Sequence, residues 1–162
     1  MSVDPRIAAP VQQFAVCATL VRKSVEGLSP EAMLASPGAD STCMLWNLGH
    51  VTNTRCGLLQ ILGVDYPRFH NELFGRGASH GDAEKYPAPE IVAAAFEEVT
   101  AKLVERFGTV SPDLLSQPSP RDFPVPDKSI AGTVNFLAFH ESYHAGQMAY
   151  LRKWLGKGQL VG

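Results

Sequence analysis

The sequence lacks an excess of positive charge, and it lacks a long hydrophobic run. Each absence argues against one class of binding partner. Its 162 residues carry 14 Lys and Arg against 16 Asp and Glu, so no basic stripe is available to neutralise a row of phosphates. No stretch of about 18 apolar residues could form a membrane-spanning helix. The N-terminus also lacks the basic and apolar regions of a secretory signal. We therefore expect a cytoplasmic protein that binds neither nucleic acid nor membrane.

Cysteine is also scarce. Cys17, Cys43 and Cys56 are odd in number, form no CxxC pair and each lie in an apolar stretch, so we predict that they are buried and reduced. Apolar residues make up 45% of the chain and charged residues 19%, which is typical of a globular protein. The length and the even composition predict a single domain over 1–162.

The apolar residues recur at spacings of three and four in four segments, and this periodicity is typical of amphipathic helices. It predicts helices over 7–28, 42–62, 89–107 and 129–155. We find no credible strand. The simplest way to bury four apolar stripes together is an all-α fold, namely an up-down four-helix bundle with long connecting loops.

The second predicted helix, 42–62, contains Arg55 as its only charged residue and is apolar on most sides. Such a helix should be buried on most sides, and three partner helices would leave part of it uncovered. A symmetric homodimer would cover the remainder. The segment 64–89 that follows has no periodicity, and loops of that length often line functional sites.

The strongest chemical signal is the sequence His140-Glu141-Ser-Tyr-His144, which puts two imidazoles one helical turn apart, where both can reach one metal ion. It matches the HExxH motif of zinc proteases, whose third ligand lies downstream. The 18 residues after His144 contain no His, Asp or Glu, so the third ligand must lie upstream. His70 and His80 lie in the long loop, whereas His50 lies inside the apolar second helix, where a polar ring needs a partner.

Two segments, Trp46-Asn-Leu-Gly-His50 and His140-Glu-Ser-Tyr-His144-Ala-Gly-Gln147, resemble the DinB-like (DinB/YfiT) metal-dependent four-helix proteins. The resemblance extends along nearly the whole chain. It implies that His50, His140 and His144 bind one divalent ion, zinc or nickel, and ligand count favours zinc. It further implies an enzyme such as a thiol S-transferase that uses a low-molecular-weight thiol, bacillithiol or mycothiol for example.

Three imidazoles leave a coordination position open, which is typical of catalytic metal sites. The metal would then activate either a thiol or a water, so a transferase and a hydrolase both remain possible. In a third hypothesis the metal only joins two helices of a dimeric scaffold. A cavity beside the metal would favour catalysis, and a sealed site would favour the scaffold. A peptidase is the least expected outcome, because no strand edge is available to pair with a peptide.

Glu141 is the candidate catalytic residue. It could act as a general base or orient a ligand imidazole, or it could pair with a basic residue on a neighbouring helix. Trp46, one turn before His50, is expected to pack in the core.

Overall fold

The computed structural model describes residues 3–78 and 83–161, and this part of the chain is helical. Two single turns of 3-10 helix, Pro5–Ile7 and Ala83–Lys85, accompany the α-helices. The described residues contain no strand beyond one isolated bridge between Pro118 and Ser129. The helices are α1 (Ala8–Val25), α2 (Pro30–Leu34), α3 (Met44–Ile61), α4 (Asn71–Phe74), α5 (Pro89–Phe107), α6 (Pro112–Ser116) and α7 (Ile130–Trp154).

The four long helices, α1, α3, α5 and α7, are those predicted from the sequence, with ends that agree within three residues. They form the predicted all-α four-helix bundle. The short helices α2 and α6 lie in segments where no helix was predicted. No helix in the described residues combines the length and the apolar character that crossing a membrane requires.

The directions of the long helices follow from their contacts. Residues further along α1 contact residues further along α7, so these two helices are parallel. The same holds for α3 and α5, whereas α1 and α5 are antiparallel. The contacts that establish this are Gln13 to Ser142, Arg152 to the Ser24 carbonyl, Arg55 to Thr100, Arg106 to the Leu62 carbonyl, Arg22 to Glu97, and the ring of Phe14 to that of Phe107.

The long helices therefore run up, down, down and up, which departs from the strict alternation of an up-down bundle. Because α3 and α5 are parallel, the connection 63–88 must return along the length of the bundle before α5 can begin. This requirement explains why the connection is long. On its way it passes over α3, where the ring of Phe74 lies against the helix at Gly49.

Helix α3 occupies the centre of the fold. All of its residues are buried except Thr54 and Gln60, because α2 and α4 contact it in addition to α5 and α7. The apolar surface that led us to expect a homodimer is thus covered within one chain, and the homodimer stays a prediction without that support. The three cysteines are buried and free, as predicted.

Because Phe74 lies so close to α3, adding one methyl group at Gly49 should lower the free energy of unfolding. A Cβ at this position would lie 2.5 Å from the Phe74 ring, so we expect Gly49→Ala to destabilise the protein by about 1–3 kcal/mol. Gly146 of α7 has no atom within 4 Å of its Cβ position, so Gly146→Ala should be neutral or stabilise by up to about 1 kcal/mol. Urea unfolding of both variants measures the difference, and equal stabilities would contradict the packing argument.

Candidate metal centre

His50 on α3 and His140 and His144 on α7 converge inside the bundle, as the sequence predicted. The Nε2 atom of His140 lies 3.4 Å from Nε2 of His50 and 3.3 Å from Nε2 of His144. One ligand atom from each of the three rings lies within 4.8 Å of the other two. Two helices that are distant in sequence thus bring three ring nitrogens to one point.

The opposite ring nitrogens of two histidines are held by neighbouring acceptors. Nδ1 of His50 lies 2.8 Å from the backbone carbonyl of Phe74, and Nδ1 of His144 lies 3.1 Å from the side-chain carbonyl of Asn47. A carbonyl oxygen accepts hydrogen bonds only, so Nδ1 must carry the proton in both rings. Their Nε2 lone pairs then face the point of convergence, and second-shell acceptors of this kind are usual behind metal-binding histidines.

His140 differs from the other two rings. Its Nδ1 is buried and has no hydrogen-bond partner among the described residues. Without a cation, its Nε2 can donate its proton to only one of the two neighbouring Nε2 atoms at a time. With a cation, the same nitrogen can be a ligand.

The environment keeps the rings of His140 and His144 neutral. Burial, and after it the neighbouring imidazoles of the cluster, lower the pKa of His140 from 6.5 to about 4 and that of His144 from 6.5 to about 3. His50 is buried as well, and the indole of Trp46 stacks on its ring with centroids 4.7 Å apart. The prediction that Trp46 packs in the core is therefore confirmed. At neutral pH the lone pairs of His140 and His144 are available to a metal.

The spacing of the nitrogens fits a small divalent cation. A tetrahedral ion with bonds of about 2.0–2.1 Å to nitrogen separates its ligand atoms by about 3.3–3.4 Å. The two distances from His140 Nε2 have these values, and the ligand atoms of His50 and His144 lie within 4.8 Å of each other. A cation bound by all three nitrogens, with the His140 proton on Nδ1, would satisfy both Nε2 neighbours of His140 at once.

A cavity of about 340 Å³ adjoins this centre, with His50 and His140 in its wall. The centre is therefore accessible to a small molecule from one side, which a purely structural metal site does not need. The rest of the wall combines apolar side chains with several polar ones. The apolar part consists of Ile61, Phe123, Pro124, Phe136 and Leu137.

The carboxylate of Glu141 is bonded to Arg55 and not to the histidines. Its two carboxylate oxygens accept hydrogen bonds from Arg55 at 2.8 and 2.5 Å, and both side chains are 2% exposed. Burial raises the pKa of Glu141, and the charge of Arg55 opposes that shift. Of the roles considered from the sequence, the geometry matches a partner for a basic residue on a neighbouring helix.

The remaining histidines lie elsewhere. His70 is exposed in the connection 63–88, and its ring contacts Glu72 instead of the centre. His80 lies outside the described residues. Asn47 and Phe74, whose carbonyl groups orient two of the candidate ligand rings, were not predicted from the sequence. A signal existed for Asn47, a buried polar residue three positions before His50, but a backbone carbonyl such as that of Phe74 leaves none.

Three imidazoles that converge inside a helical bundle, with a cavity on one side, are the features of a helical-bundle protein with a candidate metal site that small molecules can reach. The chain belongs to the DinB superfamily, whose sequence model matches residues 13–148 and so includes all three histidines. Among solved structures it is similar to YfiT from Bacillus subtilis, described as a probable metal-dependent hydrolase with an unusual four-helix bundle topology.

The similarity to YfiT covers 97% of this chain and 92% of that chain, with a TM-score of 0.67 and 12% sequence identity. At this identity the likeness shows the fold alone. A search of curated proteins found no match.

The Arg55–Glu141 pair generates a stability prediction. Glu141→Gln leaves a buried guanidinium without its counter-charge, so we expect a loss of about 3–5 kcal/mol in the free energy of unfolding. Arg22→Gln breaks an exposed pair with Glu97 and should cost at most about 1 kcal/mol. Urea unfolding of both variants tests this. Similar losses in the two variants would show that burial of the Arg55 pair has no special effect.

The lowered pKa values predict how the metal-free protein responds to pH. Below pH 6.5 the unfolded chain binds protons at these histidines, whereas the folded protein does not until pH falls towards about 4 and about 3. The free energy of unfolding should therefore fall as pH is lowered from about 6.5 to about 5. Denaturant titrations with a chelator present measure the slope. We expect a shallower slope in His144→Gln, and an identical slope would contradict the assignment.

Proposed function

We propose that this protein is a metal-dependent hydrolase that acts on small molecules, with zinc bound by His50, His140 and His144. The observation that carries the proposal is the position of the cavity, which has two of the three candidate ligands in its wall. A reactant in the cavity would meet the open coordination position directly. The family membership and the description of YfiT support the same class of reaction.

A bound zinc ion supplies a nucleophile at neutral pH, because it lowers the pKa of a coordinated water or thiol. The protein supplies orientation and shelter. The Phe74 carbonyl and the Asn47 amide fix the rings of His50 and His144, and the apolar wall formed by Phe136 and Leu137 limits the water beside the centre.

Glu141 has a supporting role in this proposal. It is not in the cavity wall, and both of its oxygens are bonded to Arg55. We propose that it holds α7 against α3 at the level of the centre, in place of the catalytic role predicted from the sequence. The carboxylate thereby keeps His140 and His144, its neighbours on the same helix, opposite His50.

Thiol transfer would use the same centre with a low-molecular-weight thiol in place of water. The assay must therefore distinguish thiol transfer from hydrolysis. The scaffold hypothesis is less well supported, because a metal that only joins α3 and α7 needs no cavity beside it. A peptidase is also less well supported, because the described residues offer no strand edge for a peptide.

The first test of this proposal is metal content. We expect about one divalent ion per chain by elemental analysis, and loss of that ion in His50→Ala, His140→Ala or His144→Ala, because two imidazoles hold an ion weakly. His70→Ala, which removes an exposed histidine outside the centre, is the matched control and should retain the ion. Full occupancy in His50→Ala would refute the three-histidine centre.

The second test is a reaction panel with the zinc-loaded protein. It contains small esters and amides, low-molecular-weight thiols with epoxide or halogenated electrophiles, and casein. We expect hydrolysis of a small substrate that stops on chelation and in His144→Ala but continues in His70→Ala. Thiol conjugation with the same dependence would favour the transferase, and casein cleavage with that dependence would overturn the ranking.

A further inference from the structure

The cavity beside the centre contains an unusual concentration of positive charge. Arg68, Arg76 and Arg121 all contribute to its wall. They come from the two connections that flank the cavity, Arg68 and Arg76 from 63–88 and Arg121 from 108–129. Segments that are distant in sequence thus bring three guanidinium groups to one small space.

Arg68 is held in a defined position. Its Nε donates a hydrogen bond of 2.7 Å to the side-chain carbonyl of Asn53 on α3. Its guanidinium lies over Gly57, where a Cβ would approach it to 2.6 Å, so the absence of a side chain at Gly57 makes room for it. Burial and the nearby charge of Arg121 both lower the pKa of Arg68, which shows that this guanidinium is short of solvent and close to a like charge.

The cavity has little negative charge to balance these groups. Asp122 is the one carboxylate among the described residues of its wall, and that side chain accepts a hydrogen bond of 2.6 Å from Lys128. Like charges in a partly buried space repel one another unless an anion joins them. Guanidinium groups are well suited to bind carboxylate and phosphate oxygens.

We propose that the substrate of this centre is a small organic anion whose carboxylate or phosphate binds Arg68 and Arg121. The inference rests on the proposed hydrolase function and names its substrate class. Gly57 lies seven residues beyond His50 on α3, so the anionic group is about 10 Å along the helix from the centre. The apolar side chains of Phe123 and Phe136 in the wall contact the body of the molecule between its two ends.

Isothermal titration calorimetry with two matched probes tests the inference on the zinc-loaded protein. The probes are 4-phenylbutyrate and its neutral amide, 4-phenylbutyramide, which have the same apolar body. We expect the acid to bind at least about tenfold more tightly than the amide, and we expect this preference to disappear in Arg68→Gln and in Arg121→Gln. Arg22→Gln removes the same charge on the exposed face of α1 and should keep the preference.

A parallel pair, 2-phenylethyl phosphate and 2-phenylethanol, identifies which anion binds better, and a preference for either anion over its neutral partner supports the inference. Equal binding of anion and neutral partner in both pairs overturns it. Arg121→Gln keeps the test decisive if Arg68→Gln fails to fold, because Arg121 is an exposed residue of a connection.

The metal itself could attract the anion, so the titration is repeated on the metal-free protein. If the metal-free protein still prefers the acid and the arginine variants do not, the preference for the acid is due to the arginines. A preference that vanishes with the metal but survives Arg68→Gln and Arg121→Gln overturns the inference. Hydrolysis without any preference for anions would refute the inference alone, whereas anion binding without hydrolysis would refute the proposed function alone.

Discussion

The buried side chain of Arg55 connects all four long helices. From α3 it donates hydrogen bonds to Glu141 on α7, Thr100 on α5 and the backbone carbonyl of Phe14 on α1. Its guanidinium also lies 4.7 Å from the centre of the Phe96 ring. A buried charge costs several kcal/mol unless it is paired, so arrangements that separate these partners are strongly disfavoured. The register of α3 against α7, on which the convergence of the histidines depends, follows from this interaction.

The helices and the connections have different tasks in this molecule. The ligand nitrogens come from α3 and α7, where a rigid and buried scaffold fixes their spacing. The charged and aromatic side chains of the cavity wall come largely from 63–88 and 108–129. Connections tolerate changes of sequence that helices in a core do not. The candidate ligands and the charged part of the cavity wall therefore come from separate parts of the chain.

Much of the fold could be predicted because apolar periodicity reports directly which segments are helical and which face is buried. The three histidines could be found because the spacing of His140 and His144 and the apolar surroundings of His50 are local properties of the sequence. The direction of α5 could not be found, since a buried stripe has the same appearance in either direction. The partner of Glu141 was accessible in principle, because Arg55 is the single charge of a buried helix and needs a counter-charge.

The remaining parts of the site arise from distant contacts. Arg68 and Arg121 are unremarkable in the sequence, and they become neighbours only because two connections meet over the same end of α3. The role of Gly57 could not be predicted either, because the need for a glycine there arises only from the guanidinium of Arg68 above it. Sequence patterns within one helix predict a ligand set, whereas a cavity wall assembled from loops requires the tertiary structure.

The hydrogen bond from His50 to the Phe74 carbonyl couples the conformation of the connection 63–88 to ion binding at the centre. A cation that binds the oriented ring favours the loop conformation in which the Phe74 carbonyl accepts this hydrogen bond. By linkage, that conformation raises the affinity for the cation by the same factor. Local opening of this segment would release the His50 ring. The rate of that opening would then limit exchange of the ion, whereas a reactant enters through the cavity, which is already accessible.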